Sequence, residues 1–235
     1  KNQMKEKENL FKSQWDESYS RLENYIFYPK EAVVKFINKY VRKRVSPNQF
    51  KSILQSNTDL KALDLGCGIG RQTILFEEFN IIGYGVDISD TAIRQAKELA
   101  MYFGYDLDKR FSVLSSIGIP FEDNFFDIAI SDSVLDSMPF EHAKEYIREL
   151  DRTVKSLVYI SLISNDLIPD AISKDLKVIT EHEYGTIQSY YDENRINELM
   201  EEHQLNASSL ADKIGVQRSS LSHILSKRNK PSLDF

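Results

Sequence analysis

From Lys61 onward, short apolar runs alternate with amphipathic stretches, the pattern of βαβ units that build a parallel sheet. It predicts strands at about 62–65, 81–86, 111–114, 126–131 and 157–163. Between the first two lies a helix carrying Ile74, Leu75 and Phe79. After Ser89, an N-cap residue, Ala92, Ile93, Ala96, Ala100 and Phe103 share one face of a helix that ends at Gly104. A third helix spans about 141–154. Upstream, residues 1–14 are polar and lysine-rich, a frayed or helical lead. Trp15, Tyr19, Leu22 and Tyr25–Tyr28 then bring too much aromatic surface for a linker. Pro29 stands at a first helical position, and Val33, Phe36, Ile37, Tyr40 and Val41 recur at helical spacing until Arg42–Arg44 close the helix with positive charge. The expected organisation is a helical cap over 1–50 ahead of an α/β domain at 51–194, a doubly wound and mostly parallel sheet. Residues 165–190 hold no sustained period and are expected as an insertion over the mouth of the site.

Composition narrows the class. With 235 residues, 41% of them hydrophobic, the chain can bury one full α/β core and still form a small second unit. Thirty basic against 36 acidic residues leave a net charge of -6, which excludes a whole surface that coats nucleic acid or anionic membrane. A local basic patch stays compatible with it. A single cysteine, Cys67, cannot form an internal disulfide and fits a reducing compartment. No signal-peptide pattern and no apolar run near ~18 residues occur, so a cytosolic protein without a membrane span is expected.

The chemistry concentrates where the first strand ends. Ala62-Leu63-Asp64-Leu65-Gly66-Cys67-Gly68-Ile69-Gly70 runs an apolar strand into three glycines at alternate positions and then into a helix. Glycine lets the backbone turn sharply there and approach a ligand without a Cβ in the way. Three glycines alone also suit a plain tight turn, and dinucleotide sites use a related turn spaced G-x-G-x-x-G. Here the spacing is G-x-G-x-G, and a second acid, Asp87, closes strand two in Gly83-Tyr84-Gly85-Val86-Asp87-Ile88-Ser89. Together these elements resemble motif I and the strand-two acid of class I, Rossmann-like S-adenosylmethionine-dependent methyltransferases. Ile119-Pro120-Phe121-Glu122-Asp123-Asn124-Phe125-Phe126-Asp127 is similar to the LPF-x-D-x-x-FD stretch leading into strand four of that family.

The resemblance spans about residues 15–163. It implies S-adenosylmethionine as cofactor, held by Asp64, Gly66, Cys67, Gly68, Gly70 and Arg71. The ribose would lie on Asp87, the adenine against Ile88 with Ser115 and the Ser116 backbone at its edge, and Ser131 would close the set. Many relatives carry an aspartate where Ser115 stands; a hydroxyl accepts from the adenine amino group more weakly. No metal is called for. Sulfonium methyl transfer rests on proximity and water exclusion, so no catalytic dyad need show. Tyr19, Asp132, Asp136, His142 and His182 are base candidates by position, although for each of them a surface or hydrogen-bonded role is the favoured reading. Ser131-Asp132-Ser133-Val134 lacks the (Asn/Asp/Ser)-Pro-Pro-aromatic element of amino-methylating DNA enzymes, and there is no Pro-Cys nucleophile. A small-molecule acceptor with an oxygen or nitrogen nucleophile is expected.

The stretch 195–235 changes character. Lys213–Lys230 holds five basic residues and no acidic one. Its order of residue types resembles a helix-turn-helix of the phage-repressor (Cro/C1) type, with Asn206 capping helix two, Gly215 at the turn and a recognition helix at about 217–225. The resemblance implies weak duplex DNA contact through 213–230, with Lys227, Arg228 and Lys230 on phosphates. The unit lacks the fifth helix usual after the Pro-Ser-Leu turn, and no pair of strands is predicted after Ile163 where class I methyltransferases have a sixth and seventh. A truncated, fused or chimeric chain is the expectation. The alternative to an enzyme is a DNA-binding regulator whose methyltransferase-like domain senses the cofactor.

Overall fold

The computed structural model describes residues 2–115, 117–165, 174–201, 206–208 and 220–226, with side chains over 11–115, 117–165 and 174–200. Five strands lie parallel: β3 (Lys61–Leu65), β4 (Ile82–Asp87), β5 (Phe111–Val113), β6 (Phe126–Asp132) and β7 (Val154–Ile163). Their spatial order is β5-β4-β3-β6-β7. The chain therefore winds outward in one direction from β3 and then returns to β3's other side, leaving a crevice at the carboxyl ends of the strands.

Alternation along the strands sorts the core into two faces. Ile128, Ile130, Leu157 and Tyr159 pack with Val33, Phe36 and Ile37 of α2 (Glu31–Phe36) and the π-helical turn after it. Leu75 and Phe76 of α3 (Arg71–Glu78) join that face. Ala129, Val158, Ile160 and Leu162 face the other way, onto α5 (Phe140–Thr153) and α6 (Glu193–Glu201) through Ala143, Ile147, Leu150, Ile196 and Leu199. A period of two with both faces buried is what a central parallel sheet requires. The Asp127 carboxylate accepts the Lys61 backbone N–H at 2.8 Å and so pins the start of β3 beside β6. Arg152 of α5 donates to the carbonyls of Ile119 and Phe121, which fixes the loop ahead of β6. As expected, Ser89 caps α4 (Asp90–Tyr102), its hydroxyl accepting from Ala92 N–H at 3.0 Å.

Two expectations fail. Arg42–Arg44 do not close a helix: they open β1 (Arg42–Ser46), an antiparallel hairpin with β2 (Gln49–Ser52). The Arg42 guanidinium donates to the carbonyls of Phe79 and Asn80, and Arg44 lies over the Phe50 ring, so both cations gain local partners that an extended backbone supplies. The second failure concerns the recognition helix, since Ser220–Ser226 form strand β11. It pairs antiparallel with β7 from Ser220↔Ile163 to Ser226↔Leu157, and β10 (Asn206–Ser208) pairs with β11. These are the two closing strands that the hydrophobic pattern does not disclose. A run of seven residues with three large apolar ones is too short for periodicity to separate strand from helix, and the outer edge of β7 offers a full row of backbone groups to satisfy. Residues 209–219 and 227–235, with Gly215, Lys227, Arg228 and Lys230, lie outside the described residues. No helix among the described residues is long and apolar enough to cross a membrane.

Cutting the chain after Glu201 should strip β7 of its neighbour. Amide exchange along Leu157–Ile163 should then speed up and Tm should fall by about 2–4 °C per kcal/mol lost in a chain of this size. Unchanged exchange in β7, with helical protection over 220–226 in the full chain, would restore the helix.

Candidate functional site

At the carboxyl ends of β3, β4, β6 and β7 lies a cavity of about 360 Å³. Its floor is the β3–α3 loop. Gly66 (φ +68°) and Gly68 (φ +53°) hold the left-handed conformation that L side chains rarely adopt. A Cβ on Gly66 would stand 2.4 Å from Val134, and one on Gly68 would stand 2.6 Å from the Tyr19 hydroxyl. The loop is thus shaped as a cradle that side chains would fill.

Two buried acids hold that cradle. Asp64 Oδ2 accepts from Thr73 N–H at 3.0 Å and from the Thr73 hydroxyl at 2.8 Å, tying β3 to the first turn of α3. Asp87 accepts from Gly68 N–H through Oδ2 and from Ser89 N–H through Oδ1, both at 2.9 Å. Gly66 N–H and Cys67 N–H both donate to the Val86 carbonyl. Burial raises Asp64 to about 7, more than the Thr73 bonds lower it. Burial likewise raises Asp87 to about 6 despite the Ser89 and Gly68 N–H groups.

The roof comes from α1 (Asn2–Ser20) and the hairpin of β8 (Asp175–Lys177) and β9 (Ile187–Ser189). Asp16 of α1 accepts from the Ser89 hydroxyl at 2.5 Å and from Thr91 N–H at 3.1 Å, while Lys12 pairs with Asp90. Phe11, Trp15 and Tyr19 line the cavity from this helix, and Glu183 and Gln188 line it from the hairpin segment. Glu183 N–H donates to Glu23, joining the two parts of the roof. Of the aromatic surplus after residue 14, Trp15 and Tyr19 line the cavity while Phe27 and Tyr28 are exposed, and of the aperiodic stretch Glu183 and Gln188 reach the cavity wall.

Of the residues expected to hold the cofactor, Gly66, Cys67, Gly68, Arg71, Asp87, Ile88 and Ser115 line the cavity. Asp64, Gly70 and Ser131 stand behind it. Asp64 is occupied with Thr73, Gly70 packs on Phe111 and Ala96, and Ser131 is buried with no partner for its hydroxyl among the described residues. Ser116 lies outside the described residues. Sequence reasoning missed Lys30, Gln72 and Ser161. Lys30 and Ser161 donate to Asp132 Oδ1 at 3.1 and 2.6 Å, Gln72 donates to Oδ2 at 3.0 Å, and Arg71 stands 3.7 Å away. No motif spacing marks these partners, which come from three separate segments.

The base candidates also separate. His182 is exposed, pairs with Glu183 and is not part of the cavity wall. Burial, then the Asp87 charge, holds the Tyr19 hydroxyl well above its usual pKa, so it stays protonated. Asp132 is fully engaged. Asp136 is 1% exposed, lines the cavity, and has no hydrogen-bond partner on either oxygen among the described residues. Burial pushes it to about 7, against the weaker pull of Lys30 and nearby backbone N–H groups. His142 lines the same cavity.

The geometry can be set beside known proteins. The model of a family described as "Methyltransferase domain" matches residues 56–216. Ajmaline N-methyltransferase of Rauvolfia serpentina is 28% identical over 111 residues, 46% of this chain and 38% of that protein. The chain spans half or less of the length of the curated relatives it matches. A Pyrococcus horikoshii protein superposes with a TM-score of 0.62 at 20% identity, covering 73% of this chain and 83% of that one. An S-adenosylmethionine-dependent methyltransferase of Methanosarcina mazei superposes at 0.56 and 22% identity, covering 74% and 94%.

Carboxyls whose folded pKa lies above the unfolded value near ~4 bind their proton more tightly in the fold, so they cost stability as pH rises from about 4 to about 7. Asp136→Asn removes one such cost. Its Tm should exceed that of the native protein by several degrees at pH 8, on an expected gain of roughly 2 kcal/mol or more, and the excess should shrink markedly by pH 4.5, to roughly 1 kcal/mol. An equal shift at both pH values would show that Asp136 does not titrate in this range.

Proposed function

The chain belongs to the methyltransferase-domain family, and from that premise we propose that it moves a methyl group from S-adenosylmethionine to a nitrogen or oxygen nucleophile of a small molecule. The observation that carries this reading is Asp87, buried at the end of β4 with its carboxylate turned onto the Gly68 loop at the floor of the cavity. A cradle without side chains suits the amino-acid end of the donor, Asp87 its ribose hydroxyls and Ile88 its adenine. Ser115 lies at the rim of the adenine side, and Arg71, braced near Asp132, faces the donor's carboxylate end. When bound, the donor supplies an electrophilic sulfonium methyl group.

The protein's share is placement and the exclusion of water. Trp15 and Tyr19 close the cavity from above, held down by the Asp16 and Lys12 contacts to the start of α4. Such a roof favours an acceptor that fits inside over a base in a duplex. The Rauvolfia relative, by its name, methylates a nitrogen of ajmaline, which supports a nitrogen acceptor here as well. The regulator alternative has no observation in its favour, because the segment assigned to base readout pairs within the sheet over Ser220–Ser226.

Calorimetry with S-adenosylhomocysteine tests the donor half. Asp87→Ala should weaken binding about tenfold or more, from roughly 1.5–3 kcal/mol per charge-assisted bond. Native affinity in that variant would move the ribose elsewhere. Deleting residues 1–28 should raise the off-rate of the same ligand by removing the roof, and an unchanged off-rate would make α1 a mere neighbour.

A further inference from the structure

The cavity has two ends, set by the order of the strands. Asp87 and Ile88 close β4, on one side of β3. Asp132, Asp136 and Met138 follow β6, on the other side, and Ile163 ends β7 beside them. His142 and Tyr146 are one turn apart on α5 and line this second end, with Phe11 of the roof edge-on to His142 at 6.1 Å between centroids. It is an aromatic compartment that contains two acids.

The two acids are treated differently. Asp132 has a cation on each oxygen's side, Lys30 and Arg71, and two neutral donors besides. The Lys30 ammonium is itself spent on Asp132 and the Ser133 hydroxyl, at 3.1 and 2.7 Å. Asp136 receives no such side-chain contact, only the weak pull of its own and the Ile163 backbone N–H groups, and neither oxygen has a hydrogen-bond partner among the described residues, although a buried acid left so costs free energy that a protein elsewhere avoids. We propose that Asp136 receives the nitrogen of the methyl acceptor, and that the acceptor is an amine, cationic in water, carried on an apolar or aromatic body. This rests on the methyltransferase reading above and names the acceptor for the same site.

The chemistry follows from where the proton goes. An ammonium enters, pairs with the Asp136 carboxylate and passes one proton to it, which frees the nitrogen lone pair. That pair forms the N–C bond as the C–S bond of the sulfonium donor breaks, its electrons staying on sulfur. The charge moves from sulfur to the methylated nitrogen, and the Asp136 proton leaves with solvent when the product does. A carboxyl raised to about 7 takes that proton more readily than one in the ordinary range. The groups acting on it are Lys30 and Asp132, whose charges work in opposite senses, the backbone N–H groups of Asp136 and Ile163, and Tyr191, whose hydroxyl is held by the Leu135 carbonyl, while His142 and Tyr146 of α5 line the same cavity.

The test uses the full chain saturated with S-adenosylhomocysteine and three probes of one shape: benzylamine, benzyl alcohol and benzoate. Binding is read by calorimetry, and donor-product binding is measured separately in the native protein and in Asp136→Asn. Benzylamine should bind the native protein at least about tenfold more tightly than either other probe. Its preference should grow as pH rises from 6 to 8, because the amine stays protonated while Asp136 loses its proton. In Asp136→Asn the preference should vanish while S-adenosylhomocysteine affinity stays within about twofold. Equal binding of the three probes, binding of none, or a preference that survives Asp136→Asn overturns the amine assignment and leaves the donor site standing. Failure of S-adenosylhomocysteine to bind the native protein overturns both. Should the variant misfold, the pH dependence of the preference in the native protein decides alone.

Discussion

The Asp87 carboxylate is shared between two loops that would otherwise be independent. One oxygen takes the Gly68 N–H and the other takes the Ser89 N–H, each at 2.9 Å. Ser89 in turn caps α4 and donates to Asp16 of α1. The glycine loop, the start of α4 and the roof helix are therefore one hydrogen-bonded unit, with the acid at its centre. Burial makes that acid costly to ionise, and N–H groups aimed at it are what offset the cost. A cavity floor built this way is tied by hydrogen bonds to the helix that lies over it.

The remaining acids divide the labour along the strand order. Asp64 braces the α3 end of the glycine loop from behind and does not line the cavity. Asp132, surrounded by donors, fixes Lys30, Gln72 and Ser161 around the end of β6. Asp136 alone of the four keeps both oxygens without a partner among the described residues. Four acids of like chemistry thus differ in the set of donors each one meets.

The parallel sheet was legible in the chain because buried parallel strands are short apolar runs, and those runs lie within a residue or a few of β3, β4, β5, β6 and β7. Asp87 was legible because its role depends on a local spacing, an acid ending a strand before a capping serine. The hairpin at Arg42–Ser52 was not, since its arginines mimic a helix end and their carbonyl partners lie across the fold at Phe79 and Asn80. Nor was β11, whose pairing with β7 is a long-range event that a seven-residue run does not announce. The same holds for Asp136: a sequence shows an aspartate, while being buried without a donor is a property of the packing. Ser115 lines the cavity.

The central claim is that the Asp87 knot is a ribose site at the floor of a methyl-transfer cavity. A crystal structure with S-adenosylhomocysteine tests it most directly. The ribose hydroxyls should lie within hydrogen-bond distance of the Asp87 carboxylate, with the amino-acid end along Gly66–Gly68 and the sulfur turned toward Asp136. A ligand seated outside this cavity, or one whose ribose contacts groups other than Asp87, would contradict the account.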